Sequence, residues 1–159
     1  MSFYNGTKIL ERGNRVEKKI VIDTNVYLGI FFGNNSLCMS LHDYLIDNDS
    51  HWIIVMCKTI LEEIHRNLGK GHGFANLFQQ HVIRQYVIKN RFLFGEEKEL
   101  PKDCNVSHKN DAHLIRCACG SNCKILITLD DDLELSDECQ VKKYKVKEFI
   151  EKMCNSKNS

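Results

Sequence analysis

Proline is almost absent from this chain of 159 residues: Pro101 is the only one, and Trp52 is the only tryptophan. Such scarcity excludes a proline-rich linker or ligand segment, and no internal repeat or low-complexity tract stands in its place. Charge of one sign is also missing, because 22 Lys and Arg against 21 Asp and Glu leave a formal net charge of +1. No global basic field advertises a polyanionic partner, so nucleic acid would have to be met by a local basic face. The longest apolar run, around VYLGIFF, is too short to span a bilayer. The opening MSFYNGTKILERGNRVEKK lacks an apolar stretch of signal-peptide length. These absences predict a protein with no membrane partner and a cytoplasmic address.

What remains is an ordinary globular composition, 43% apolar and 27% charged, at a length suited to one domain with a proper core. Cysteine is the exception, with eight. An even count invites a disulfide framework, but a chain of this size does not need staples, and a reducing compartment keeps thiols reduced. Cys57, Cys117 and Cys119 fall inside apolar patterns and are expected to be small buried hydrophobes. Cys117, Cys119 and Cys123 form C-x-C-x₃-C, which a helix would splay to different sides and which does not match zinc-site spacing.

Residues 1–18 read as a polar extension, 19–154 as the folded domain and 155–159 as a polar tail. KIVID (19–23) and WIIVM (52–56) are short apolar runs of the kind that buried strands show. Helices are expected over about 25–32 and 37–47, the second capped by Ser36 after a Gly33-Asn34-Asn35 break. Another begins near Thr59, with Leu61, Ile64 and Leu68 on one stripe, and Gly69, Gly71 and Gly73 interrupt it. A further helix is expected over 74–89, then an extended piece and loop over 91–107. Asp111 opens a helix that stops at Gly120, KILITL (124–129) is the third clear strand, and 141–146 is a charged strand suited to an edge. An amphipathic helix closes the domain over 146–153. Strand and helix alternate, predicting an α/β three-layer sandwich with a central, mostly parallel sheet flanked by helices.

In such a fold, strand C-termini and helix N-termini share one edge of the sheet, the edge where ligands bind. Asp23 closes the first strand, Glu63 lies early in the helix after the second, Asp111 opens a helix, and Asp130 follows KILITL. Each acid taken alone is more often a helix cap or a favourable partner of the helix dipole. Four carboxylates on one edge repel each other unless cations hold them, which points to Mg²⁺ or Mn²⁺ and phosphate chemistry. Asp132 is a candidate second-ion ligand. Thr24, Asn25 and Thr128 are placed to hydrogen-bond water or phosphate. Glu63 is preferred to Glu62 because it flanks the buried stripe, although Glu62 stays open. Among basic residues near the motifs (Arg66, Lys70, His72, Arg84, His108, Lys109 and Arg116), His108 and Arg116 flank Asp111 and lead, with Arg66 and Lys109 next. Exposed charge is normal, so a solvated helix face is the bland alternative for each.

The segments Asp23-Thr24-Asn25, Glu63-Ile64, Asn110-Asp111-Ala112 and Thr128-Leu129-Asp130-Asp131-Asp132, in this order, resemble the PIN-domain ribonucleases over roughly residues 19–153. The resemblance implies hydrolysis of RNA phosphodiesters at a divalent-metal site held by Asp23, Glu63, Asp111 and Asp130. It makes the toxin half of a toxin–antitoxin pair plausible, with an antitoxin protein and a second copy of the chain as possible partners. A catalytically weak RNA-binding or assembly module is the rival. A phosphoacceptor receiver would need an adjacent acid pair after the first strand, and a dehalogenase-like phosphatase would need Asp-x-Asp there. Asn25 stands where the second Asp should be.

Overall fold

A computed structural model of the chain describes residues 18–69 and 73–158. The expected extension, apart from Lys18, lies outside the described residues, as do Lys70 and His72. Five strands form one sheet: β1 (Lys19–Ile22), β2 (Ile53–Cys57), β3 (Phe92–Gly95), β4 (Ile125–Thr128) and β5 (Lys142–Lys145). Their spatial order is β3-β2-β1-β4-β5 and every pair is parallel. β1 has Val21 beside Val55 on one side and beside Leu126 on the other, so it is the centre of the sheet. That is why Ile20, Val21 and Ile22 are all apolar and buried after Lys19 at the strand's start: a strand covered on both faces has no solvent side to mark with a polar residue.

Helices α1 (Thr24–Phe32), α2 (Ser36–Ile46) and α3 (Lys58–Leu68) follow β1 and β2. A helical rod over Phe74–Ile88 comes next, made of α4 (Phe74–Phe78), a π turn (Gln79–Ile83) and α5 (Arg84–Ile88). A 3₁₀ turn (Lys109–Asp111) leads into α6 (Ala112–Gly120), and α7 (Val146–Asn158) ends the chain. α6 packs on β1, β2 and β4, while α1, α2 and α7 pack together; right-handed crossovers put the two groups on opposite faces of the sheet. Tyr44, Trp52 and Tyr144 all meet the Phe149 ring edge-on, joining α7 to the core. Among the described residues no helix is long and apolar enough to cross a membrane.

Several expectations change. The segment 91–107, read as an extended piece and loop, contributes β3, an edge strand with Leu93 and Phe94 exposed. Edge pairing needs only one ladder, so it leaves no burial period to read. Strict alternation fails between β4 and β5, where residues 129–141 cross without a helix. A Val106–Leu135 bridge and the Cys104–Cys139 disulfide brace that crossover instead. α7 runs to Asn158, into the stretch read as a polar tail. Asn35, rather than Ser36, caps α2, its side chain accepting from the Cys38 N–H at 3.1 Å.

The cysteines are not all thiols. Cys57 and Cys117 form a second disulfide, because Cys57 ends β2 directly beneath α6 and burial brings their Cα atoms to 5.8 Å, inside bridging range. Cys38, Cys119 and Cys123 are free, Cys38 and Cys123 being buried. With Cys117 bridged, C-x-C-x₃-C cannot act as a zinc triad.

Candidate active site

The strand order reverses between β1 and β4, since the chain grows outward from β1 to β3 and then returns to the other side of β1. The crevice beyond the strand C-termini at such a switch is where α/β sheets bind ligands. Asp23 lies one residue past β1, its N–H donating to the Ile127 carbonyl at 2.9 Å. The Thr128 hydroxyl donates to Asp23 Oδ2 at 2.7 Å and accepts from the Asp130 N–H at 3.0 Å. One buried hydroxyl thus fixes a carboxylate on one strand against the backbone following the next. Asp130 itself sits two residues beyond β4, and its Oδ1 accepts from the Asp132 N–H at 2.8 Å. The structure therefore brings Asp132 to the site through its backbone, while its carboxylate is exposed.

Asp23 and Asp111 both hold the N-cap position of a helix, and neither side chain makes a capping hydrogen bond. The local explanation for an acid at that position does not apply to either. Asp23 is only 6% exposed. Burial raises its pKa most, Asp111 and Glu63 push it the same way, and the hydrogen bonds from Thr128 and the Thr24 amide oppose them. Asp111 is raised as well, first by burial and then by Asp130, with Glu63 adding to it and His113 and His108 opposing. Asp23, Glu63, Asp111 and Asp130 therefore lie within one another's electrostatic reach through Asp23 and Asp111. Among the described residues no lysine or arginine forms an ion pair with any of the four.

Glu63 is half-buried and turned inward, accepting a short hydrogen bond from the Thr24 hydroxyl. Glu62, one position earlier, is exposed. Thr24 is thereby engaged with a carboxylate, whereas Asn25 is exposed at the start of α1. His113 was not foreseen. It is buried, its Nδ1 lies 2.9 Å from the Asn110 carbonyl, and its Nε2 faces Glu63 Oε1 at 3.6 Å. A position two residues past Asp111 falls on another side of an ideal helix, so spacing gave no signal. The 3₁₀ turn before α6 alters that direction.

The basic candidates divide. His108 is exposed and close enough to Asp111 to act on its charge. Lys109 is exposed on the 3₁₀ turn, Arg66 in the last turn of α3, and Arg84 on α5. Arg116 is committed elsewhere, its Nε 3.5 Å from Glu97 Oε1. The 96–98 backbone runs along α6 there, the Lys98 N–H donating to the Arg116 carbonyl at 3.1 Å, so close that a side chain at Gly120 would strike the Glu96 carbonyl.

The donor chemistry suits a hard divalent ion: oxygen ligands, one of them a buried carboxylate with no cationic partner. The spacing is not that of a closed cage, since among the described residues no three His, Cys, Asp or Glu side chains stand ready to hold a metal together. Mg²⁺ and Mn²⁺ keep several waters and need few direct protein ligands. The set therefore fits an ion that draws loosely spaced acids inward better than it fits a preformed structural site.

The chain belongs to the PIN-domain family, whose sequence model matches residues 19–132, from the first residue of β1 through Asp132. That span holds all four acids. Among solved structures it is similar to "Crystal structure of VapBC2 from Rickettsia felis bound to a DNA fragment from their promoter", at 14% sequence identity and a TM-score of 0.45, covering 70% of this chain and 88% of that one. No curated protein matches the sequence significantly.

Proposed function

We propose that this protein is a Mg²⁺- or Mn²⁺-dependent endoribonuclease, and the observation that carries the proposal is the pair of helix-start carboxylates, Asp23 and Asp111, that cap nothing and face other acids. Membership of the PIN-domain family, a family of nucleases, supports the reaction class. A bound divalent ion supplies an acidified water and neutralises charge on the phosphate and the leaving oxygen. Asp23, Glu63, Asp111 and Asp130 would hold it, and Asp132 would reach a second ion only by turning its exposed carboxylate inward. Thr128 orients Asp23 and opposes the rise in its pKa, and Thr24 orients Glu63. His108, Lys109 and Arg66 offer phosphate contacts around the rim, giving binding that weakens with salt and reads little sequence. Arg116 would contribute only after leaving Glu97. A cytoplasmic address accompanies RNA as substrate.

The toxin role rests on exposed apolar surface. Phe32, Leu37, Leu77, Val87 and Ile88 are large apolar side chains left open on α1, α2, α4 and α5, suited to an antitoxin or a second copy of the chain. The test is Mn²⁺ binding and cleavage of a mixed RNA pool by the wild type and by Asp23→Asn. Binding and cleavage that both vanish in the variant support the nuclease. If the wild type binds Mn²⁺ no better than the variant and cuts no RNA, the binding-module reading replaces it.

A further inference from the structure

Resting on that metal-site reading, we propose that His113 is a nitrogen ligand of the same site and biases it toward a first-row transition ion, Mn²⁺ above Mg²⁺. His113 is 5% exposed. Its Nδ1 is 2.9 Å from the Asn110 carbonyl oxygen, which can only accept, so Nδ1 carries the hydrogen. In the neutral ring Nε2 then bears a lone pair. That nitrogen is buried without a hydrogen-bond partner, and it faces Glu63 Oε1 at 3.6 Å, beyond hydrogen-bond range.

Glu63 Oε1 already accepts from the Thr24 hydroxyl. The lone pair of a buried ring and the oxygen of a half-buried carboxylate, turned toward each other, are two electron-rich atoms facing at 3.6 Å. A cation bound between them would relieve that repulsion. Metal-bound histidines characteristically donate their other ring N–H to a carbonyl or carboxylate, which fixes the tautomer and aims the ligand nitrogen; the Asn110 carbonyl occupies that place here. Asp111 stands two residues earlier, at the start of the helix that carries His113. Mg²⁺ takes oxygen ligands and gains little from an imidazole, whereas transition ions bind nitrogen well. The histidine therefore sets selectivity, and the carboxylates set affinity for any divalent ion.

The test uses the full chain loaded with Mn²⁺ alone and reads the ¹⁴N coupling to the manganese electron spin in pulsed electron paramagnetic resonance. The wild type should show a histidine-type nitrogen coupling that is lost in His113→Gln. Mn²⁺ affinity should fall on the order of tenfold or more in His113→Gln, while Mg²⁺ affinity, measured by competition, changes less than twofold. Asp23→Asn should weaken both ions. Wild-type Mn²⁺ binding that depends on Asp23 but shows no nitrogen coupling overturns the histidine assignment and leaves the nuclease site standing. Absence of Mn²⁺ binding in the wild type overturns both. Should His113→Gln fail to fold, a wild-type nitrogen coupling that persists in His108→Gln supports His113, and one that vanishes in His108→Gln overturns the assignment.

Discussion

Asn35 and Asp23 occupy the same kind of place, the residue just before a helix, and use it in opposite ways. Asn35 turns its side chain onto the Cys38 N–H and closes the start of α2. Asp23 makes no capping hydrogen bond to α1 and instead holds its carboxylate toward Thr128 and in the field of Asp111 and Glu63. Asp111 repeats the Asp23 behaviour at α6. The first choice stabilises the fold locally, while the second gives up a cap and accepts buried like-charge repulsion. A position that sacrifices stability in this way is held for something other than stability.

The contrast predicts its largest effect at Asp23. Asp23→Asn should lower metal-stimulated RNA cleavage by roughly 100-fold or more, above the 10–100-fold expected of groups that only support a ligand. Unchanged cleavage would remove Asp23 from the chemistry. Thr128→Val should fall within that 10–100-fold band, read as cleavage rate at saturating metal, because it frees the Asp23 carboxylate without deleting it.

Stability should divide along the same line. The bridges Cys57–Cys117 and Cys104–Cys139 span 60 and 35 residues, so breaking either should cost about 4 kcal/mol on loop-closure grounds, measured by denaturant unfolding. Cys104→Ser should leave cleavage at low temperature intact, since Asp130, at the start of that crossover, is fixed by the Thr128 hydroxyl and the bridge joins the crossover at its far end, Cys139. In the metal-free protein Asp23 and Asp111 titrate above their ordinary 3.8, so the folded state binds more protons than the unfolded chain in that window. Thermal stability should therefore decline as pH rises from about 3.8 through the raised values. Asp23→Asn or saturating Mn²⁺ should flatten the decline; a metal-free protein that instead gains stability over that range contradicts the repulsion. The smallest effect is the control: Asn35→Ala should cost about 1 kcal/mol and leave cleavage within twofold.

Much of this molecule is legible in its sequence for one reason. A central parallel strand buries an apolar run, so Ile20-Val21-Ile22 and Ile125-Leu126-Ile127 announce themselves, and topology then carries Asp23 and Asp130 to one edge. β3 stayed hidden because an edge strand exposing Leu93 and Phe94 has neither a buried run nor an alternation. The disulfides stayed hidden because cysteine spacing does not encode pairing; Cys57 and Cys117 looked like core residues, and both are buried. His113 escaped because helical geometry alone directs it away from Asp111, and only the 3₁₀ turn brings it round to Glu63.

The Cys57–Cys117 bridge has a mechanical side. Cys57 stands immediately before α3, which carries Glu63, and Cys117 lies on α6, which begins next to Asp111. A covalent rivet between the end of β2, where α3 begins, and α6 limits how far the two can slide past each other. Reducing agents in an assay buffer therefore act on the separation of two acidic groups as well as on melting temperature, and rates measured with and without them describe two differently tensioned proteins.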